Sequence, residues 1–114
     1  MDSKYDLEER TFKFASECRE MIRSLNYSMA NIEDGKQLIR SSGSVGANYI
    51  EANEKLCEKD FVFRLKIARK EAKESRYWLR LLKTGNHEIN EMDKLINESE
   101  ELRKILSAII KKFE

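Results

Sequence analysis

Apolar residues recur at alternating steps of four and three in this chain, and that period fits only the face of a helix. The clearest run is Phe61, Leu65, Ala68, Ala72, Ser75, Leu79 and Leu82. A second is Leu7, Thr11, Phe14, Cys18, Met21 and Leu25, widened by Ala15 and Ile22. A third is Met92, Leu95, Ser99, Leu102, Leu106, Ile109 and Phe113. Between the first two lies Gln37 to Ala52, where Leu38, Val45, Tyr49, Ala52 and Leu56 keep helical spacing although Ser41, Ser42, Gly43, Ser44 and Gly46 interrupt it. Each interior glycine costs about 1 kcal/mol against alanine, so propensity alone does not hold this segment. Small residues instead let two backbones approach closely, and serine hydroxyls can bond back to the preceding turn. The competing reading of the segment is a loop.

These patterns predict helices over about 6–27, 32–53, 58–84 and 89–113. Asn31 with Asp34 reads as a cap and first-turn acid for the second helix. The polar joint EKLCEKD leads into the third. Gly85 suits a left-handed position closing the third helix, and Asn86 suits the next cap. Short polar joints return each helix alongside its predecessor, so the expected fold is an all-α, antiparallel up-down-up-down four-helix bundle. The absence of proline, with 38% charged and 40% hydrophobic residues, agrees. The 114 residues make one domain, long enough to bury a core. The apolar stripe broadens at Ile105, Leu106, Ile109, Ile110 and Phe113, which points to a homo-oligomer; a tightly wrapped monomer core is the alternative. No stretch approaches the roughly 18 apolar residues of a membrane span and no apolar leader opens the chain, so a cytoplasmic protein is expected. Cys18 and Cys57 lack metal or redox spacing and are expected as free thiols.

Charge is unevenly placed. The net charge is +1, yet Glu58 to Lys83 holds nine Lys or Arg against four Asp or Glu. Within it, Lys66, Arg69, Lys73, Arg76, Arg80 and Lys83 step by three and four, a stripe about 25 Å long at 1.5 Å per residue. Such a stripe can follow a phosphate backbone. The alternative is a solvated face paired with acids on the first or fourth helix. Glu71, Glu74 and Trp78 occupy another face of the same helix. Arg40, Ser44, Asn48 and Glu51 form a polar stripe on the second helix, and Arg40 is the natural partner for Glu71 or Glu74. Set beside that face, Gly43 and Gly46 admit a close neighbour.

Catalytic apparatus is missing from the sequence. The only histidine, His87, falls in the turn between the third and fourth helices, outside any Glu-x-x-His or His-Glu-x-x-His pattern. Gly43-Ser44-Val45-Gly46 lacks the lysine and preceding strand of a phosphate loop. No metal, cofactor or small-molecule substrate is expected. A carboxylate-metal enzyme remains a third, weaker reading.

Gln37-Leu38-Ile39-Arg40-Ser41-Ser42, Ser44-Val45-Gly46-Ala47-Asn48, Glu51, Asp60-Phe61, Ile67-Ala68, Glu71-Ala72, Glu74 and Tyr77-Trp78-Leu79 together resemble the bacterial four-helix-bundle proteins encoded in intervening sequences of 23S ribosomal RNA genes. The chain is also similar to accessory proteins of diversity-generating retroelements. This resemblance implies a non-enzymatic, ring-like homo-oligomer, with a pentamer among its forms, and association with RNA, DNA or a reverse transcriptase. Two functions are therefore expected to compete: an oligomeric adaptor holding structured nucleic acid or a nucleic-acid enzyme on the basic stripe, and a scaffold that binds protein alone.

Overall fold

The computed structural model describes the backbone of residues 3–54 and 56–114, and side chains from Leu7 onward apart from Lys55 of the polar joint. Four helices follow one another: α1 (Ser3–Arg23), α2 (Met29–Asn53), α3 (Glu58–Gly85) and α4 (Glu91–Lys111). Ion pairs and hydrogen bonds fix their directions. Along α3 and α4, Arg69 meets Ser107, Arg76 meets Glu100 and Lys83 meets Asp93, so numbers rise on one helix as they fall on the other. Gly35 beside Ile22 and Gly46 beside Thr11 show the same opposition of α1 and α2. The result is the all-α four-helix bundle, 45 Å along its long axis, about the length of the 28-residue α3 at 1.5 Å per residue.

The core is the periodic set. Leu7, Phe14, Cys18 and Met21 of α1, Leu38, Val45, Tyr49 and Ala52 of α2, Leu65, Ala68, Ala72, Leu79 and Leu82 of α3, and Met92, Leu95, Leu102, Leu106 and Ile110 of α4 are all buried. Leu56 departs from the expected face: it lies beyond the end of α2 and is 96% exposed. The broad C-terminal stripe is absorbed within the chain, because Leu106 and Ile110 are fully buried and Ile105 and Ile109 pack against the core. Phe113 meets the Phe61 ring edge to face at 5.1 Å. Phe113 itself stays 37% exposed, so the stripe is covered except at its last residue.

Helix ends differ from the periodic reading where side chains intervene. α1 stops at Arg23, before Tyr27, as the Ser24 amide and hydroxyl both bond to the Met21 carbonyl. α2 starts three residues earlier than expected because Ser28, not Asn31, is its cap; the Ser28 hydroxyl accepts the Asn31 amide. Asp34 consequently lies beyond the first turn. Asn31 itself reaches across the bundle end, where it exchanges side-chain hydrogen bonds with Asn86. Gly85 is the last residue of α3, and no described residue, glycine or otherwise, has a positive φ. Asn86 caps α3 instead of α4, its amide donating to the Leu82 carbonyl at 2.7 Å; Asn90 precedes α4.

The Ser/Gly segment is continuous helix, held from two sides. Toward α1, a Cβ on Gly46 would stand 2.8 Å from Thr11 Oγ1 and 3.2 Å from Thr11 Cβ. A Cβ on Gly43 would meet only the guanidinium tip of Arg19, at 3.2 Å. The close neighbour of these glycines is thus α1, while the Glu71/Glu74 face of α3 meets α2 along a different line. There Ser75 Oγ lies 2.9 Å from both Ser41 Oγ and the Glu71 carbonyl, in a fully buried contact. Ser41 and Ser42 also face the carbonyls of Leu38 and Ile39 one turn back.

Two measurements follow from this packing. Thr11 is buried, so replacing Gly46 by Leu overpacks a site that cannot yield and lowers unfolding free energy by about 1–3 kcal/mol. Gly43→Ala crowds only the Arg19 guanidinium, which bonds to the Ala15 and Ile39 carbonyls and to Ser42. That cost is set against up to about 1 kcal/mol of helix propensity, so in urea melts Gly43→Ala should stay close to the unaltered protein while Gly46→Leu is destabilised. The thiols separate as well. Cys18 is fully buried and burial pushes its pKa up to about 12, opposed in part by Ser42 and Arg19, whereas Cys57 is exposed. A thiol reagent should modify Cys57 alone in the folded chain and reach Cys18 only in denaturant.

Candidate functional site

The helical period that buries Leu65, Ala68, Ala72 and Leu79 divides the remaining α3 residues among three directions. One faces α2. Arg40 donates to Glu74 at 2.9 Å and to Glu71 Oε2 at 3.4 Å, and its Nη1 stands 3.3 Å from Glu71 Oε1. Glu71 is only 7% exposed, and Oε1 is buried with no hydrogen bond of its own. Arg40 therefore carries the charge balance of a carboxylate taken out of water. The two glutamates in turn raise the pKa of Arg40, chiefly through the Glu71 and Glu74 hydrogen bonds. Ser44, Asn48 and Glu51 take no part in this network among the described residues. Asn48 bonds back to the Ser44 carbonyl within α2 and Glu51 is exposed.

The second direction faces α4 and takes half of the basic stripe. Arg69 donates to Ser107 at 3.4 Å, Arg76 stands 3.6 Å from Glu100, and Lys83 reaches Asp93 and the carbonyls of His87 and Ile89. These cations recur every seven residues, which keeps them on the α3–α4 seam. Glu100 also pairs with Arg103, whose hydrogen bond holds the Glu100 carboxyl below the ordinary carboxylate range, with Arg76 and Lys104 adding to the effect. His87 is exposed in the turn, and it contributes its backbone carbonyl to Lys83.

The third direction is solvent. Lys66, Lys73 and Arg80 are exposed and, among the described residues, enter no ion pair. Lys70 joins them, equally exposed and unpaired. Tyr77, 55% exposed, completes the line. Lys66, Lys70, Lys73, Tyr77 and Arg80 step by four, three, four and three, the same period as the six residues chosen by sequence, but all five are on the exposed side of α3. Sequence reasoning missed Lys70 and Tyr77. The same four/three rule would have found them, had the row facing α4 been separable from the row facing water.

Beside this row the surface dips into an open hollow of about 590 Å³ between α3 and α2. Gln37 and Arg40 form one wall; Lys66, Lys70, Lys73 and Tyr77 belong to the other, with Arg69, which also bonds to Ser107, at its edge toward α4. Trp78, half-buried, lies at its end with its ring 5.2 Å from that of Tyr77, edge to face. Cation, amide and aromatic groups therefore meet in one place. The acid of the hollow, Glu74, is already bonded to Arg40. Elsewhere, no group of three or more His, Cys, Asp or Glu among the described residues is placed to hold a metal ion.

The family model for 23S rRNA-intervening sequence proteins matches residues 3–108, spanning every element of the bundle but the last residues of α4. The chain belongs to this family. A crystal structure of a protein of unknown function from the S23 ribosomal protein family of Bacteroides thetaiotaomicron is similar at 33% identity and a TM-score of 0.84, covering 95% of this chain and 97% of that one. Comparison with curated proteins gave no match. Among the described residues of this 23S rRNA-intervening sequence protein, no helix is long and apolar enough to cross a membrane.

The α2–α3 pairing makes a specific demand on Arg40. Removing one partner of a buried pair leaves an uncompensated charge, worth about 3–5 kcal/mol when both groups are buried. The Arg40 side chain is half-exposed at 51%, so Arg40→Ala should cost less, about 1–2 kcal/mol. Adding Glu71→Gln removes the orphaned charge and should restore part of that loss; a double-mutant cycle in urea measures the coupling.

Proposed function

We propose that this protein is a non-enzymatic helical adaptor that binds nucleic acid through the solvent-facing cations of α3. The observation that carries the reading is the unpaired set Lys66, Lys70, Lys73 and Arg80 on one face of one helix. Membership of a family named for an rRNA intervening sequence is consistent with it. Arg69, Arg76 and Lys83 serve the α3–α4 seam in this reading, and Lys83 above all is spent on closing the turn. The exposed Cys57 thiol suits a reducing cytoplasm.

A homo-oligomer is part of the proposal, with a different surface from the C-terminal stripe. Phe12 is 70% exposed and Ile50 49% exposed. They flank a shallow apolar groove floored by Ala15, Gly43, Gly46 and Ala47 on α1 and α2. This face also favours the second reading, a scaffold that binds protein alone. A second copy of the chain is the occupant we propose there, and light scattering of Phe12→Glu against the unaltered protein tests it: a shift to monomer supports the face, and an unchanged mass removes it.

Fluorescence anisotropy with a labelled structured RNA at two salt concentrations separates the readings. Four neutralised phosphates on a single strand give a log-log salt slope of about −2.8, and a steeper one on a duplex. A fourfold rise in salt should therefore weaken binding by about 50-fold or more. Changing Lys66, Lys73 and Arg80 to Ala together should abolish most of that dependence, while changing Arg76 should affect stability first. Absence of binding at low salt would leave the protein-only scaffold.

A further inference from the structure

We propose that the α3 surface takes unpaired nucleic acid, with Tyr77 as the platform on which a base stacks while Lys66, Lys70, Lys73 and Arg80 hold the phosphates on either side. The inference rests on the nucleic-acid reading above and names the form of the ligand. Its basis is the position of an aromatic ring inside a row of cations.

From Lys66 to Arg80 the row runs about 21 Å at 1.5 Å per residue. It is single file. A duplex presents this row with phosphates and sugars, its bases sealed in pairs, so a tyrosine ring between the cations would meet no base face. A single strand presents phosphates and open base faces together, and stacking on an aromatic ring is tolerant of sequence because every base has such a face. Tyr77 satisfies the geometric requirement. It is 55% exposed, and the edge-to-face contact with Trp78 at 5.2 Å braces its ring.

Cations flank the ring along its own helix. Lys73 and Arg80 lie one turn before and after it, and Arg40 on α2 reaches the adjoining hollow. Glu74, the acid lining it, is bonded to Arg40 at 2.9 Å, an arginine it shares with Glu71. The hollow of about 590 Å³ falls within the range of roughly 300–1,000 Å³ that small-ligand pockets occupy, so a base leaving the ring has room beside it. Trp78 is the only tryptophan of the chain, which makes its emission a local reporter.

The test compares a labelled oligouridylate with a fully paired RNA hairpin of equal nucleotide number, both titrated with the full-length chain in low salt. The single strand should bind about tenfold or more tightly than the hairpin. Tyr77→Ala should weaken the single strand by about 5- to 100-fold and leave the hairpin unchanged. Tyr77→Phe should stay within about twofold of the unaltered protein, because the ring and not the hydroxyl does the stacking. Trp78 emission should be quenched by the single strand alone. Equal affinity for both ligands, with Tyr77→Ala harmless, would overturn the stacking inference and leave the cationic reading standing. Failure of both ligands to bind would remove both. Should Tyr77→Ala fail to fold by circular dichroism, the ligand preference and the Trp78 quench in the unaltered protein decide the matter alone.

Discussion

The close seating of α2 between two neighbours is the constraint on which the bundle depends. Gly46 brings its backbone against Thr11 of α1, at a distance no side chain could share. On the opposite flank Ser41 meets Ser75 of α3 in a contact without solvent. Two weak helix formers are thus used where their lack of bulk matters more than their propensity. The close approach has an electrostatic consequence, since it carries Glu71 into the interface, where the carboxylate needs Arg40. Replacing such a pair with apolar residues is often no less stable. What the pair adds is alignment, because only one register of α2 on α3 lets Arg40 reach both Glu71 and Glu74 while Ser41 meets Ser75.

That alignment decides which α3 residues remain available. A helix in a bundle has one face toward the core and two toward its neighbours, so only a narrow strip stays free. On α3 the core takes Leu65, Ala68, Ala72 and Leu79, α2 takes Glu71 and Glu74, and α4 takes Arg69, Arg76 and Lys83. The strip left over holds lysine, arginine, tyrosine and, toward its N-terminal end, Phe63, 57% exposed. Acids on α3 all lie in the first turn or on the α2 face, so the free strip is free of negative charge.

Hydrophobic periodicity alone makes the bundle legible. The buried residues of α1, α3 and α4 follow the four/three spacing, and the unlikely Ser/Gly run reads correctly as helix because Leu38, Val45 and Tyr49 stay on one face. Helix ends are less legible, since they turn on single hydrogen bonds. Ser24 closing back on Met21 and Ser28 capping α2 compete with residues of equal capping ability nearby, and sequence does not rank them. Asn86 reverses its expected role because its amide can satisfy the Leu82 carbonyl and Asn31 together. The basic stripe is half legible for another reason. Steps of three and four hold together residues up to a third of the helix circumference apart, so one sequence pattern spans both the seam with α4 and the open face. Only the position of α4 separates Arg76 from Lys73.

A net charge of +1 on the whole chain is a poor guide to that open face. Screening limits interactions between exposed charges to about 8–10 Å at physiological salt, so a ligand lying on α3 responds to local charge and not to the total. At the N-terminal end of the strip Glu58 and Glu114 line a hollow with Lys66, whereas the acids along its middle and far end are engaged within the protein. Arg40 occupies Glu74 and Glu71, Arg103 and Arg76 hold Glu100 in its ionised form, and Lys83 holds Asp93. Arg40 with its two glutamates is one charge negative and Glu100 with its two arginines one charge positive. With the Lys83–Asp93 pair these groups cancel as a set, which leaves Lys66, Lys70, Lys73 and Arg80 to set the potential over the row. The ion pairs that align α2 and α4 on α3 therefore also clear the field around it: the same arginines that fix the bundle keep its acids from opposing an anionic partner.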